Sequence, residues 1–481
     1  MPADLDDLFD ALGRSADALP LAGAADAKRR GRQRTWTQAA VAAAAAVVLV
    51  VAGVGFALRD PHPRASRPAS TPTPTVFTTG VPIVGTVSLG TRNIATGLTA
   101  QDGERAYAAW VSQDDNKQWV IAADLASGAE SWPAHEIADP DRSIEQIVVV
   151  PEAVLVVTVT HSGATPERAL YAFDPAGGVP LWNGYVMAGD SVVFTHRMLV
   201  RSSRSDGAVE GLDWRTGERR WVVPMEDDRP ARTIGMRTAA DEERIDRAGA
   251  RPDLTDGRVV VITVAGKVRV LDAATGTAGA AASVPVGSGD TMVAYEGRLF
   301  SHDEADDNGG PHHIRATDLT GVGGSAILGT VPDRFLSMAG CGPDRVCVVT
   351  ARKPRYSSTV LTAFDAAKRK LLWEAPDEFG GSEISSARGR VWLDAADGPA
   401  ALYDTDGTQI LTATLSAGWL DAGTLLIYAP DGTGRWSRWS IANRKITPLG
   451  APPGKMLGFC ASTSSRLACP GEDGLRIWAV G

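Results

Sequence analysis

The chain has 481 residues and a formal net charge of -9, with 57 acidic residues against 48 basic ones. This length exceeds that of an ordinary compact domain, so the sequence holds either several domains or one repetitive domain. The acidic balance argues against a general nucleic-acid binder, because neutralising phosphates requires a clustered positive face.

The N-terminal tail, residues 1–35, contains a short amphipathic pattern. Leu5, Leu8, Phe9 and Leu12 recur at helical spacing, with aspartates between them. A helix this short is only marginally stable alone. It is therefore either a docking helix for a cytoplasmic partner or a frayed tail.

An apolar stretch then predicts a single transmembrane helix over residues 36–58. Residues 38–58 carry no charge, and at helical rise they span roughly 30 Å, the hydrocarbon thickness of a bilayer. The long leader and long apolar core favour an uncleaved anchor over a cleaved signal peptide or a buried Ala-rich helix. Basic residues cluster before the stretch, which predicts a cytoplasmic N-terminus and an extracytoplasmic C-terminal domain. Residues 59–80 form a Pro/Ser/Thr-rich linker.

From residue 81 to residue 481, short β-branched runs alternate with clusters of Gly, Asp, Asn and Pro. This pattern predicts an all-β domain, with one polar insertion at 239–253. The domain repeats with a period of about 40 residues, marked by an aspartate at the end of one strand. The recurring aspartates are Asp124, Asp174, Asp213, Asp272, Asp318, Asp365 and Asp404.

Each repeat combines its aspartate with other residues at fixed spacing. In four repeats a tryptophan lies eight residues later: Trp132, Trp182, Trp221 and Trp373. In four repeats a glycine lies four residues later: Gly128, Gly178, Gly217 and Gly276. We expect the aspartate to accept turn amide protons, the glycine to supply a positive φ, and the tryptophan to pack between stacked sheets.

Repeats of this length with several short strands predict a β-propeller of four-stranded blades. Eight blades are expected, with seven to nine allowed. The C-terminal repeat ends at its third strand, and residues 82–90 are expected to supply the missing strand and close the ring.

The units DWRTGERRW, DLASGAESW and LDAATG resemble the repeat of pyrroloquinoline-quinone-like (PQQ-like) β-propellers. The resemblance covers essentially all of residues 81–481 and implies that fold. Many such proteins bind no quinone and act as scaffolds or assembly factors. The quinoprotein dehydrogenases also carry an adjacent Cys-Cys pair, a catalytic Asp and a calcium site. No adjacent cysteines occur here, so no catalytic or cofactor-binding residue is assigned and no cofactor is expected.

Four cysteines form two close pairs, Cys341 with Cys347 and Cys460 with Cys469. Each pair flanks a turn-like segment before an apolar strand, which favours two local disulfides in an oxidising compartment. The spacing does not suit zinc, and no histidine accompanies the pairs. Free buried cysteines are the alternative.

One loop, SHDEADDNGGPHH at 301–313, contains several carboxylates and imidazoles. Carboxylates suit calcium, whereas imidazoles suit zinc or copper. A solvated acidic loop between two strands is the alternative. The candidate ligands for a divalent cation are His302, Asp303, Asp306, Asp307, His312 and His313.

Two hairpin loops, RSSRSDG at 201–207 and ARKPRYSS at 351–358, are basic. They are either docking sites for an anionic polymer or lipid head groups, or solvated turns. Neither loop has a spacing that distinguishes these alternatives.

These features together predict a single-pass membrane protein whose extracytoplasmic propeller is a non-catalytic binding or scaffold module for a protein or cell-envelope ligand. The alternative is a transmembrane sensor whose tail holds a cytoplasmic regulator, as in anti-sigma-like proteins. A quinone-dependent dehydrogenase is a third hypothesis, which the missing cysteine pair disfavours. The Ala-, Arg- and Gly-rich composition suggests an actinobacterial-type, high-GC bacterium.

Overall fold

The computed structural model describes most of the domain predicted for residues 81–481, and the described residues lie in one compact unit. The tail, transmembrane helix and linker predicted for 1–35, 36–58 and 59–80 lie outside the described residues. Within the described residues, no helix has the length and apolarity needed to span a bilayer. The described ranges are 83–89, 94–137, 142–160, 167–225, 228–243, 254–255, 257–284, 291–303, 311–321, 324–351, 358–377, 380–394, 400–413, 417–428, 435–450, 460–471 and 474–481.

These ranges form β-strands and one short helix. The first strands are β1 Ile83–Val87, β2 Ile94–Gln101, β3 Arg105–Ser112, β4 Gln118–Asp124, β5 Glu130–Ile137, β6 Arg142–Val150, β7 Ala153–Thr160, β8 Arg168–Phe173, β9 Pro180–Val186, β10 Ser191–Phe194, β11 Leu199–Ser203, β12 Ala208–Leu212 and β13 Arg219–Pro224. Next come β14 Pro230–Arg237, helix α1 Ala239–Glu243, β15 Arg258–Thr263, β16 Lys267–Asp272, β17 Ala278–Ser283, β18 Met292–Tyr295, β19 Arg298–His302, β20 His312–Asp318, β21 Ser325–Val331, β22 Arg334–Gly340, β23 Arg345–Ala351, β24 Thr359–Asp365 and β25 Lys370–Asp377. The last are β26 Glu383–Ala387, β27 Arg390–Asp394, β28 Ala400–Tyr403, β29 Gln409–Ala413, β30 Ala417–Asp421, β31 Thr424–Tyr428, β32 Trp436–Ser440, β33 Lys445–Gly450, β34 Ala461–Ser462, β35 Arg466–Gly471 and β36 Gly474–Ala479.

The strands form antiparallel four-stranded blades that follow one another along the chain. Blade 1 is β2–β5, and each later group of four forms the next blade up to blade 8, β30–β33. Blade 9 combines β34–β36 with β1, in the order β1-β36-β35-β34. The N-terminal strand is therefore the outermost strand of the last blade. Blades 4 and 5 share a sheet because β14 and β18 pair in parallel.

The described residues thus form nine blades rather than the expected eight, within the predicted range of seven to nine. The difference arises at the C-terminal repeat. It has three strands, and β1, from the segment 82–90 that was expected to close the ring, pairs with β36 and makes it a ninth full blade.

The hydrophobic core is divided among the interfaces between blades. Clusters of buried side chains join each neighbouring pair of blades. The cluster that contains Trp110, Ala468 and Ile477 joins blade 9 to blade 1 and so closes the ring. Inner strands are buried on both faces, which is why a run such as AVLVVTVT in β7 is apolar without alternation.

The predicted insertion at 239–253 begins with α1, between β14 and β15 of blade 4. The Ala239 N–H donates to Glu296 Oε1 of blade 5 at 2.6 Å. Cα atoms of α1 also lie within 8 Å of β26 in blade 7. Because blades 4 and 7 are not neighbours, α1 reaches across the central opening of the ring.

The repeat aspartates cap the turns between the third and fourth strands. Asp124 Oδ1 accepts from the N–H and the hydroxyl of Ser127, both at 2.7 Å, and these bonds lower the pKa of the Asp124 carboxyl. The ionised Asp124 carboxylate therefore stabilises the folded chain at neutral pH. This contribution to the free energy of unfolding is lost as the pH falls through the lowered pKa. Turn amides donate in the same way to Asp174, Asp213, Asp272 and Asp365.

Four tryptophans on outermost strands connect a blade to the next one. The indole N–H of Trp221 in blade 3 donates to the Ala273 carbonyl of blade 4 at 2.8 Å. We call this contact, together with the packing of the ring on the turn glycine, the Trp–Gly joint. In each joint the acceptor is the residue after the next blade's repeat aspartate. The other three joints run from Trp132 to Pro175, from Trp182 to Trp214 and from Trp373 to Thr405.

Each Trp–Gly joint requires a glycine under the indole. A Cβ built on Gly276 would lie 2.6 Å from Cε3 of Trp221, and Gly178, Gly217 and Gly407 face the same obstruction from their own tryptophans. The equivalent residue in blade 6 is Arg369, which adopts a φ of 52°. Blade 5 has Ala326 at the tryptophan position, so no indole covers that turn. A side chain is therefore tolerated there, and the turn geometry is kept without glycine.

At the interface between blades 9 and 1, backbone atoms of β1 lie over the turn glycine Gly128, where other interfaces have an indole ring. A Cβ on Gly85 of β1 would lie 2.5 Å from the carbonyl oxygen of Gly128 and 2.6 Å from its Cα. A register irregularity between Ile83 and Gly85 brings β1 to this position. Blade 9 thus meets blade 1 through two glycines in direct contact.

The structure forms both predicted disulfides. Cys341, one residue after β22, is bonded to Cys347 in β23, and Cys460, one residue before β34, is bonded to Cys469 in β35. Each bond therefore links the inner two strands of one blade. These bonds account for all four cysteines of the chain.

Replacing Gly276 by Ala should lower the free energy of unfolding by about 2–4 kcal/mol, because the Cβ displaces the Trp221 ring and Ala disfavours the positive φ. Gly297→Ala is the matched control: its φ is 75°, and the nearest atom to its Cβ is Thr320 Cγ2 at 3.5 Å, an ordinary contact. It should lose only about 1 kcal/mol. Urea unfolding of the full chain followed by Trp fluorescence measures both losses. Equal losses would show that the indole does not hold the turn.

Replacing Gly85 by Ala should weaken the closing interface, since the new methyl group collides with the backbone of Gly128. Amide hydrogen exchange in residues 474–479 should accelerate by about tenfold or more, as local opening becomes easier. Thr86→Ala, at an exposed position of the same strand, serves as the control and should leave the exchange unchanged. Unaltered protection in the Gly85 variant would mean that this contact does not determine ring closure.

Candidate functional site

A cleft of ≈ 370 Å³ lies between the outer halves of blades 2 and 3. Residues of β8 and β9 form its wall on blade 2, and residues of β11, β12 and β13 form its wall on blade 3. Trp182, Thr216 and Gly217 also line the cleft, so the Trp182 joint lies at its margin. The site is therefore held between two blades whose spacing that joint fixes.

The cleft exists because one residue of β9 has no side chain. Gly184 pairs with Leu170 across the β8–β9 ladder, and Leu170 is buried beneath it. A Cβ on Gly184 would find its nearest neighbour outside the adjoining residues at Trp182 Cζ3, 3.8 Å away. Space thus remains between this point and Leu212 on the facing wall. A larger residue at 184 would fill the space without a backbone clash.

The wall of blade 3 carries an ion-pair group on three adjacent strands. Arg201 Nε donates to Glu210 Oε1 at 2.6 Å, and Arg201 Nη1 donates to the Tyr185 carbonyl of blade 2 at 3.2 Å. The Glu210 residue is only 8% exposed. Arg219 Nη1 lies 3.8 Å from Glu210 Oε2, and the Arg219 side chain is 60% exposed. Two guanidinium groups share one carboxylate, which leaves the wall with a net positive charge.

Exposed apolar side chains lie on the outermost strands of both blades. Tyr185 and Met187, 54% and 56% exposed, lie at the end of β9, where the Tyr185 side chain is on the face of the sheet opposite to Gly184. Val222, which pairs with Glu210 across the β12–β13 ladder, is 46% exposed. Arg142 places its guanidinium 5.6 Å from the centre of the Tyr185 ring. Tyr, Met and Arg are the residue types that protein interfaces favour.

The structure describes four of the six candidate metal ligands. The imidazoles of His302 and His312 lie side by side, with ring centres 5.3 Å apart, and Phe335 stacks on His302 at 3.7 Å. His302 Nδ1 accepts from the Thr291 N–H, so its proton is on Nε2 when the ring is neutral.

The side chains of Asp303 and His313 bond to other groups and do not join the two imidazoles. The Asp303 carboxylate accepts from the His313 N–H, and His313 Nδ1 bonds to Thr330 Oγ1. Asp306 and Asp307 lie outside the described residues. Among the residues that the structure does describe, no three His, Cys, Asp or Glu side chains are placed to hold a metal ion. Cation binding at this loop stays a prediction.

The cleft residues were not among the candidates that the sequence suggested, apart from the basic run that begins at Arg201. A glycine inside a strand, as in LWNGYV, signals a close approach or an opening in a sheet. That signal does not show which residues of the neighbouring blade lie opposite the glycine. Glu210 and Arg219 lie within ordinary strand patterns, and only the pairing of β11, β12 and β13 brings them together.

Residues 116–284 match a family model for PQQ repeats whose description is outer membrane protein assembly factor BamB. The matched segment is about a third of the chain and contains blades 2, 3 and 4 in full, including the cleft. The match supports a PQQ-like β-propeller. A search of curated proteins found no match.

Several solved structures are similar to this chain. BamB from Moraxella catarrhalis is 16% identical, over 83% of this chain and 98% of that one, with a TM-score of 0.39. The dihydro-heme d1 dehydrogenase NirN in complex with DHE is 14% identical, over 76% and 80% of the two chains, with a TM-score of 0.44. The computationally designed Ika8 protein is 13% identical, over 71% and 97%, with a TM-score of 0.44. None of these similarities bears on function.

Proposed function

We propose that this chain is a membrane-anchored, extracytoplasmic propeller that binds a protein partner without catalysis, and that the cleft between blades 2 and 3 is its contact surface. The observation that carries the proposal is the cleft itself. It combines a glycine-lined gap, a buried carboxylate with two arginines, and exposed Val222 on the same face of blade 3.

The protein-binding part rests on the chemistry of this surface. Interfaces concentrate their binding energy in a few aromatic and arginine side chains near a pocket that excludes water. The cleft places Arg201 and Arg219 beside a gap between two blades. The family match, whose description names an assembly factor, includes every residue of the cleft.

The anchored, extracytoplasmic part rests on the sequence. Residues 38–58 are uncharged, and the basic residues before them favour a cytoplasmic N-terminus. The two disulfides are typical of an oxidising compartment and agree with this orientation. The non-catalytic part rests on the missing Cys-Cys pair of the quinoprotein dehydrogenases.

Replacing Gly184 by Val should fill the cleft and leave the fold intact, because the Cβ position is open and valine suits a strand. Loss of a central pocket contact commonly costs about 2 kcal/mol of binding, or roughly thirtyfold in affinity. Recovery of a cross-linked partner by the full-length chain, measured in the producing cells by quantitative mass spectrometry, should therefore fall by about tenfold or more.

Gly279→Val is the matched control, since Gly279 lies in the outermost strand of blade 4 and its Cβ would meet only Val270 O at 3.5 Å. This variant should keep the same partner at the same yield, and both variants should keep the thermal midpoint of the unchanged chain. A partner recovered equally by all three chains would place binding elsewhere on the ring. If no protein were specifically cross-linked to the unchanged chain, the proposed function would be wrong.

A further inference from the structure

We propose that the occupant of the cleft is an acidic, extended polypeptide segment, whose carboxylate binds Arg219 and whose neighbouring side chain lies over Gly184. This inference rests on the proposed function and specifies the chemistry of the partner. It depends on three independent features of the cleft: its charge, the strand edges that border it and the apolar groups at its rim.

The charge of the cleft favours an anionic group. Glu210 is buried and bonded to Arg201, so its charge is already balanced inside the wall. Arg219 lies 3.8 Å from the same carboxylate, beyond a normal hydrogen bond, and its side chain is 60% exposed. A carboxylate from a partner can bind its planar guanidinium through two parallel hydrogen bonds. A lysine or arginine of the partner at the same place would instead be repelled by the excess positive charge of this wall.

The surrounding blade has the same bias, although the whole chain carries a net charge of -9. Residues 191–224, which form blade 3, contain more arginines than acidic residues. The arginines are Arg197, Arg201, Arg204, Arg215, Arg219 and Arg220, and the acidic residues are Asp206, Glu210, Asp213 and Glu218. Arginines thus outnumber acidic residues in the blade that forms one wall of the cleft.

The borders of the cleft favour an extended segment. β9 and β13 are the outermost strands of blades 2 and 3, and within the described part of the chain neither pairs with a further strand on its outer edge. Strand edges present backbone N–H and C=O groups that an extended peptide can pair with. In such a segment successive side chains point to opposite faces, here toward blade 2 and toward blade 3. One side chain can therefore enter the gap over Gly184 while another reaches Arg219.

The rim favours a polypeptide over a lipid surface or an anionic polymer. Leu212 lines the cleft and Val222 is exposed on the same face of blade 3, and both add apolar contact area beside the charges, which head groups and polymers of charge alone do not use. The gap is a cleft of ≈ 370 Å³ between two blades. An acidic peptide with apolar residues between its carboxylates matches both kinds of group.

The test uses the full-length chain in a neutral detergent and three short fluorescent peptides that alternate valine with Glu, Gln or Lys. By fluorescence anisotropy, the Glu peptide should bind about tenfold or more tightly than the Gln peptide, and the Lys peptide most weakly. Arg219→Gln should remove the preference for Glu over Gln. Arg215→Gln, which makes the same charge change at an exposed turn of the same blade, should keep it.

Equal affinity for the Glu and Gln peptides, or no binding of the Glu peptide, would overturn the inference. So would an equal loss in the Arg219 and Arg215 variants, which would indicate a general field effect. Binding to phosphatidylglycerol vesicles that depends on Arg219, without a preference among the peptides, would assign the site to lipid. If the Gly184→Val chain still loses its cross-linked partner while the peptides show no preference, the cleft binds protein but not by this chemistry.

Discussion

At four of the blade interfaces, the position of one blade against the next depends on an indole ring that covers a turn. Neighbouring sheets diverge as they run outward from the axis of a propeller, so the outer part of an interface needs a large side chain to fill it. The Trp–Gly joint meets this need, because the ring fills the wedge and its N–H donates to a turn carbonyl of the next blade. No blade can bury its own faces, and the ring of blades is therefore stable only as a whole.

The repeats made much of the fold predictable, because the signals are local. The Asp-to-Trp spacing, the turn glycines and the paired cysteines each lie within one hairpin. Residues that are close in sequence are also close in space there. Arg369 shows what such local signals do not predict. It stands where four other repeats have glycine, and the reason lies in blade 5, where Ala326 leaves the turn uncovered. Whether a turn requires glycine depends on the side chain that the preceding blade places over it, and not on the sequence of its own repeat alone.

The closing strand was predictable because an apolar run at the start of the domain could complete the last repeat, whereas the cleft was harder to predict. The last blade is complete only through β1, which lies at the other end of the domain. The cleft needs a missing side chain on blade 2 and charges on three strands of blade 3, and no short motif contains both. It lies at the rim, where the blades diverge most and where Gly184 leaves the wedge beyond Trp182 unfilled. The space that tryptophan fills at the joint thus stays open beside it as a cleft.

The contribution of β1 to blade 9 also sets an order for folding during synthesis. Residues 83–87 leave the ribosome early, but their partner strand, 474–479, is the last part of the domain to be made. Until then β1 has no strand to pair with, and the final blade lacks its outer edge. Contacts this distant in sequence form slowly and leave strand edges exposed to other chains. A chain released before residue 474 would lack this closure entirely.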